Sequence, residues 1–96
     1  MRELPFAETF LELETGTYML RYGLLVSEAA GERGDLLCES YGVRVSFLEN
    51  NRLLDRQEAL DVTSDPRVLE ALLRLLHKHR VTPLSLPDII EDFMAS

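Results

Sequence analysis

Two arginines, each two residues from a glycine, carry the clearest chemical potential in this chain: Arg21 in Arg21-Tyr22-Gly23 and Arg44 in Gly42-Val43-Arg44. On a β-strand that spacing puts arginine and glycine on the same face. A guanidinium is a planar fork that grips carboxylate or phosphate in two-point fashion. Glycine inside a strand bares backbone where another group can lie close. Opposed to each other, Gly23 and Gly42 would form a notch flanked by Arg21 and Arg44, and the two like charges would require an anion nearby. That anion is either internal, from Glu12, Glu14, Glu91 or Asp92, or external, from a carboxylate, a phosphate or a partner protein.

Other reactive side chains are poorly placed for catalysis. His77 and His79 lie about 200° apart around a helix and cannot share a metal ion while it is intact. A single cysteine adds little to any zinc set, and a histidine near a helix end has free carbonyls to meet. Cys38 stands at the start of a strand with no base beside it, so it reads as a small packed side chain opposite Ser27. No serine sits in a G-x-S-x-G setting, and no glycine-rich phosphate loop leads from a strand into a helix. The expectation is no enzyme, no cofactor and no metal.

Which elements position the arginines follows from periodicity. From Thr17 to Glu28 the residues Tyr18, Leu20, Tyr22, Leu24 and Val26 share one strand face, and Tyr41, Val43, Val45 and Phe47 do the same in the stretch from Leu37 to Leu48. The turn formers Ala30-Gly31-Glu32-Arg33-Gly34-Asp35 between them predict an antiparallel hairpin. Core residues are even-numbered in the first strand and odd-numbered in the second, so opposed residue numbers sum to an odd value. A turn centred between Glu32 and Arg33 sets Gly23 opposite Gly42, Arg21 opposite Arg44 and Tyr22 opposite Val43; a shift of two residues preserves the parity. Phe6 to Glu14 alternates as a further strand ahead of a turn at Thr15-Gly16. Beyond the turn dipeptide Asn50-Asn51, a fourth strand falls within Leu53 to Val62, most clearly at Ala59 to Val62.

The C-terminal third is helical. Asp65 caps a helix with Pro66 in its first position, and Val68, Leu69, Leu72, Leu73, Leu75 and Leu76 give it a broad apolar face before Pro83. Ser85-Leu86-Pro87-Asp88 starts a second helix whose Leu86, Ile89, Ile90, Phe93 and Met94 follow helical spacing. Arg67, Arg74 and Lys78 form a basic ridge within ~40° of each other on the first helix. The second helix carries Asp88, Glu91 and Asp92, the last two near a C-terminus that disfavours anions. These charges are either an ordinary solvated surface or contacts for a partner.

At 96 residues, with 46% apolar side chains, the chain is sized for one domain, residues 1–96, with a single core. Its net charge of −7 argues against direct binding to nucleic acid or to an anionic membrane. No run approaches the ~18 apolar residues of a membrane span. The acid and proline in Met1-Arg2-Glu3-Leu4-Pro5 do not suit a signal peptide, so a cytoplasmic location is expected.

Val81-Thr82-Pro83-Leu84-Ser85-Leu86-Pro87-Asp88-Ile89-Ile90-Glu91-Asp92-Phe93, taken with Ser40-Tyr41-Gly42-Val43, resembles an uncharacterised family of proteins of roughly 100 residues from Gram-positive anaerobic bacteria. The resemblance implies a bacterial origin and this order of strand, helix, turn and short helix, and it implies no activity.

Together these features predict an α+β domain: an antiparallel meander of three or four strands followed by two helices packed on one sheet face. The other face, with Met19, Arg21, Gly23, Leu25 and Arg44, is left for the N-terminal segment, a second copy forming a homodimer, or a protein partner. The leading functional expectation is a non-enzymatic protein-interaction module or small regulator. Its rival is an acidic inhibitor that mimics nucleic-acid charge, of the kind found in phage and mobile elements, and a binder of small anions or an enzyme ranks last.

Overall fold

In a computed structural model, which describes residues 1–30 and 37–95, the strands β1 (Arg2–Leu13), β2 (Gly16–Ala30), β3 (Leu37–Glu49) and β4 (Arg52–Thr63) pair antiparallel in the order β1-β2-β3-β4. Helix α1 (Pro66–Lys78) follows, and a single 3-10 turn at Pro83–Ser85 runs into helix α2 (Leu86–Ala95). Both helices pack on one face of the sheet, giving the two-layer α+β architecture that the periodicities predict. The N-terminal segment is a full edge strand, beginning well before Phe6, and β4 runs the whole length from Arg52.

Alternation explains which face is covered. Leu20, Tyr22, Val43 and Val45 are fully buried beneath Leu69, Leu72, Leu73 and Leu76 of α1 and Leu86 of α2. Each such side chain contributes about 1.5–3 kcal/mol by leaving water. Phe6, Leu11, Tyr41, Phe47, Ile89 and Phe93 line the margin of this core.

The β2–β3 register differs from the expected one by two residues. Leu20 pairs with Phe47, Tyr22 with Val45, Gly23 with Arg44 and Leu25 with Gly42, so the parity holds while Gly23 and Gly42 do not face each other. The physical reason lies in charge and in the outer strands. The expected register opposes Arg21 to Arg44, a destabilising like-charge pair, whereas the observed one opposes Arg21 to Ser46 and Arg44 to Gly23. Each glycine also serves a different neighbour. The Glu3 side chain of β1 lies over Gly23, where an added Cβ would come within 2.8 Å of its carboxylate. At Gly42 an added Cβ would strike the Ala59 carbonyl of β4, beside the irregularity where the pairing jumps from Val43↔Ala59 to Tyr41↔Thr63. Asp61, inside that irregularity, takes φ +53°. The expected turn around Glu32-Arg33 lies outside the described residues.

Two short connections are well determined by their chemistry. Asn50 and Asn51 both take positive φ (49° and 65°) between the paired residues Glu49 and Arg52, the conformation of a two-residue hairpin loop that asparagine tolerates. Between β1 and β2 the loop is Glu14-Thr15, and Gly16 is already paired with Leu13.

Both ends of α1 are built as side-chain chemistry prescribes. The Asp65 carboxylate accepts from the Arg67 N–H at 2.9 Å, with Pro66 at the first helical position. This bond holds the Asp65 carboxyl below its usual range. At the other end the Arg80 N–H donates to the His77 carbonyl and the Val81 N–H to the Leu76 carbonyl, with Arg80 at φ +51°. That is a Schellman motif with arginine where glycine is preferred, and it carries Val81 back into the core beside Leu76. The helix therefore stops at Lys78, and His79 is its capping residue. The buried Tyr22 hydroxyl then donates to the Val81 carbonyl at 3.0 Å, joining the sheet to the helix end.

Candidate interaction surface on the open sheet face

Pairs directly opposite in an antiparallel sheet point to one side, so the register lays out the face away from the helices row by row. One row holds Gly23, Arg44 and Glu58, with the Glu3 side chain reaching over Gly23 from its backbone place opposite Leu25; the next holds Glu8, Arg21, Ser46 and Arg56; a third holds Phe10, Met19, Leu48 and Leu53. Both helices pack on the other face, and within these rows Ser46 and Leu48 are buried while Glu3, Glu8, Phe10 and Leu53 are exposed.

Both arginines of the expected notch are neutralised from within. Arg44 donates through Nη1 to Glu3 and through Nη2 to Glu58 Oε1 at 2.9 Å, while Arg21 Nε meets Glu8 Oε2 at 3.1 Å. The acids are therefore Glu3, Glu8 and Glu58 on the flanking strands, and the expected acids Glu12, Glu14, Glu91 and Asp92 are not the ones that pair with these arginines. Arg44 is only 18% exposed, and burial by itself pulls its pKa down. Its hydrogen bonds to Glu58 and Glu3 outweigh that effect and hold the guanidinium charged. Its Nε is buried with no acceptor among the described residues, so the cluster is tightly packed though not fully satisfied. What sequence reasoning named as a site for an anion is a cross-strand clamp: Arg21, Gly23 and Arg44 lie together on the open face, and Gly42 serves β4 instead.

Arg56 differs from its neighbours. Its guanidinium donates to the Ser46 hydroxyl at 3.3 Å and makes no ion pair among the described residues. The apolar row beside it is exposed at its two ends, where Phe10 is 69% exposed and Leu53 44%, whereas Met19 is half-buried and Leu48 buried. A shallow cavity of about 130 Å³ opens between Phe10, Met19, Leu48 and the turn residues Asn50 and Asn51.

The helix charges do not converge. Arg67 pairs with Asp65 at 3.4 Å and Arg74 with Glu70 at 2.6 Å, each within its own helix and cap, and Lys78 is exposed. Asp88, Glu91 and Asp92 lie on exposed positions of α2. His77 places its ring edge-on to Tyr22, with centroids 5.8 Å apart, and no group of three or more metal-ligating side chains forms among the described residues. Cys38 is exposed and opposite Ala29, rather than packed against Ser27, because the register shift moves Ser27 to Ser40. No helix is long and apolar enough to cross a membrane.

Glu3, Glu8, Phe10, Arg56 and Glu58 are the residues of this face to which sequence reasoning assigned no site role. The usable signal was complementarity: Glu8 is two residues from Phe10, as Arg21 is from Met19, whereas counting back around the Asn50-Asn51 turn gives Gln57 opposite Arg44, and only the irregularity at Phe47/Leu48 brings Glu58 there.

A four-stranded meander with helices on one face and a charged and apolar lattice on the other defines a small two-layer α+β domain. The chain belongs to the DUF6514 family, a family of unknown function, which it matches over residues 1–96. No curated protein and no solved structure matches it.

Proposed function

We propose that this domain is a non-enzymatic protein-interaction module of the bacterial cytoplasm, and that its contact surface is the open face of the sheet. The observation that carries this reading is the apolar row Phe10–Met19–Leu48–Leu53, exposed at its ends Phe10 and Leu53 and bordered by the charged row of Glu8, Arg21 and Arg56. Arg21 and Arg44 serve as rim and scaffold, since their charges are already matched by Glu8, Glu3 and Glu58. The charge-mimic reading fits less well, because the acids of this face alternate with arginines instead of gathering into one stripe.

Capture of binding partners by immobilised protein tests the reading. Met19→Glu, which puts a charge into the apolar row, abolishes capture, and Asp88→Lys on α2 leaves it intact. Capture that survives Met19→Glu and fails with Asp88→Lys would move the contact surface to the last helix.

A further inference from the structure

The occupant of this face has a chemistry that the face itself specifies. We infer that the open sheet face packs against the same face of a second copy of this chain, an inference that rests on the contact surface proposed above. A two-fold axis parallel to the strands, lying between two facing sheets on the line between β2 and β3, sets β1 of one copy over β4 of the other and β2 over β3. Rows then meet themselves reversed. Phe10 stacks toward Leu53 and Met19 toward Leu48, so the apolar row becomes continuous across the interface. In the first row Glu3, whose side chain lies over Gly23, and Glu58 are each held by Arg44 of their own copy. In the middle row, Glu8 of one copy meets Arg56 of the other, which supplies a carboxylate to the face arginine that has none among the described residues of its own chain.

Size and charge support the same occupant. Four strands at ~4.8 Å spacing and about a dozen residues at ~3.3 Å rise outline roughly 750 Å², close to the ~800 Å² that each partner gives to a standard stable interface. Across the three rows and Glu12, four acids stand against Arg21, Arg44 and Arg56, so nearly all of the net charge of −7 lies off this face. Two copies can therefore meet here with little mutual repulsion, which no strongly acidic part of the surface would allow. Sheets stacked in this way sit about 10 Å apart with strands nearly aligned, the geometry of a β-sandwich.

Sedimentation equilibrium over micromolar to submillimolar concentrations tests the inference, with circular dichroism confirming that each variant is folded. The wild-type chain is expected at twice its 11.0 kDa mass. Met19→Glu raises the dissociation constant at least about a hundredfold, because its two-fold copies bury two unpaired charges. Glu8→Arg and Arg56→Glu each weaken the dimer about tenfold or more, and the double variant Glu8→Arg/Arg56→Glu regains it, since the pair is exchanged and kept complementary. A monomer mass throughout the range, or a double variant no tighter than the singles, overturns the inference. If the wild type is monomeric while Met19→Glu still abolishes partner capture, the second copy is excluded as occupant and the contact surface stands.

Discussion

At the scale of single residues, the polar contacts of this domain separate those that fasten the fold from those that only decorate it. Tyr22 fastens it: the ring is fully buried and its hydroxyl is bonded to the Val81 carbonyl. Tyr22→Phe leaves that carbonyl unsatisfied and should cost about 1–3 kcal/mol, read as a lower urea midpoint with an unchanged slope. Burial pushes the Tyr22 pKa up from 10.0 to about 12, with the Arg80 charge pulling slightly the other way. The unfolded chain thus releases this proton first, so the stabilisation is complete below pH 10 and is lost as pH rises toward 12. Urea midpoints measured across that interval should fall more steeply for the wild type than for Tyr22→Phe. The two glycines make a second contrast. Gly42→Ala drives a methyl into the β4 backbone at Ala59, while Gly23→Ala meets only the movable end of Glu3. The Gly42 variant should therefore lose at least about 1–3 kcal/mol and the Gly23 variant clearly less; equal losses would contradict the close approach of β4.

At the scale of elements, α1 ends where Arg80 adopts a left-handed conformation that glycine holds without strain. Arg80→Gly should raise the melting temperature, by an amount corresponding to roughly 0.5–1 kcal/mol, provided the Val81 N–H keeps its bond to Leu76. The same element shows what could be read in advance and what could not. Asp65, Pro66 and the leucine spacing announced the start and the buried face of α1, because capping and amphipathicity are local properties. The end was less legible: a Schellman motif without glycine leaves no mark in the residue types, and only Pro83 signalled a stop. For the strands, parity identified the inward-facing residues correctly, since a period of two is written along each strand. Register between strands is not local. It depended on Glu3, Glu8 and Glu58, two of them on an edge strand whose first residues carry little alternation, and on the β4 irregularity at Asp61 that consumes the bareness of Gly42.

At the scale of the whole molecule, the arrangement measures 54 × 28 × 18 Å, a slab only two layers thick. The helices reach only part of a sheet whose strands run 12 to 15 residues, which is why Leu13 stays exposed on their side near the β1–β2 turn, while Phe10 and Leu53 are exposed on the opposite face. The strand order has a kinetic consequence. Every strand pairs only with its neighbours in the chain, so the sheet can be laid down hairpin by hairpin, each loop closing a short stretch before the next strand arrives. Refolding followed by stopped-flow fluorescence of the tyrosines should be faster than in a β-protein of equal length whose strands cross over, and Gly42→Ala should speed unfolding more than it slows folding if β4 docks late. Arg44, clasped by Glu3 of the first strand and Glu58 of the last, would then be the latch that closes only when the whole row has assembled.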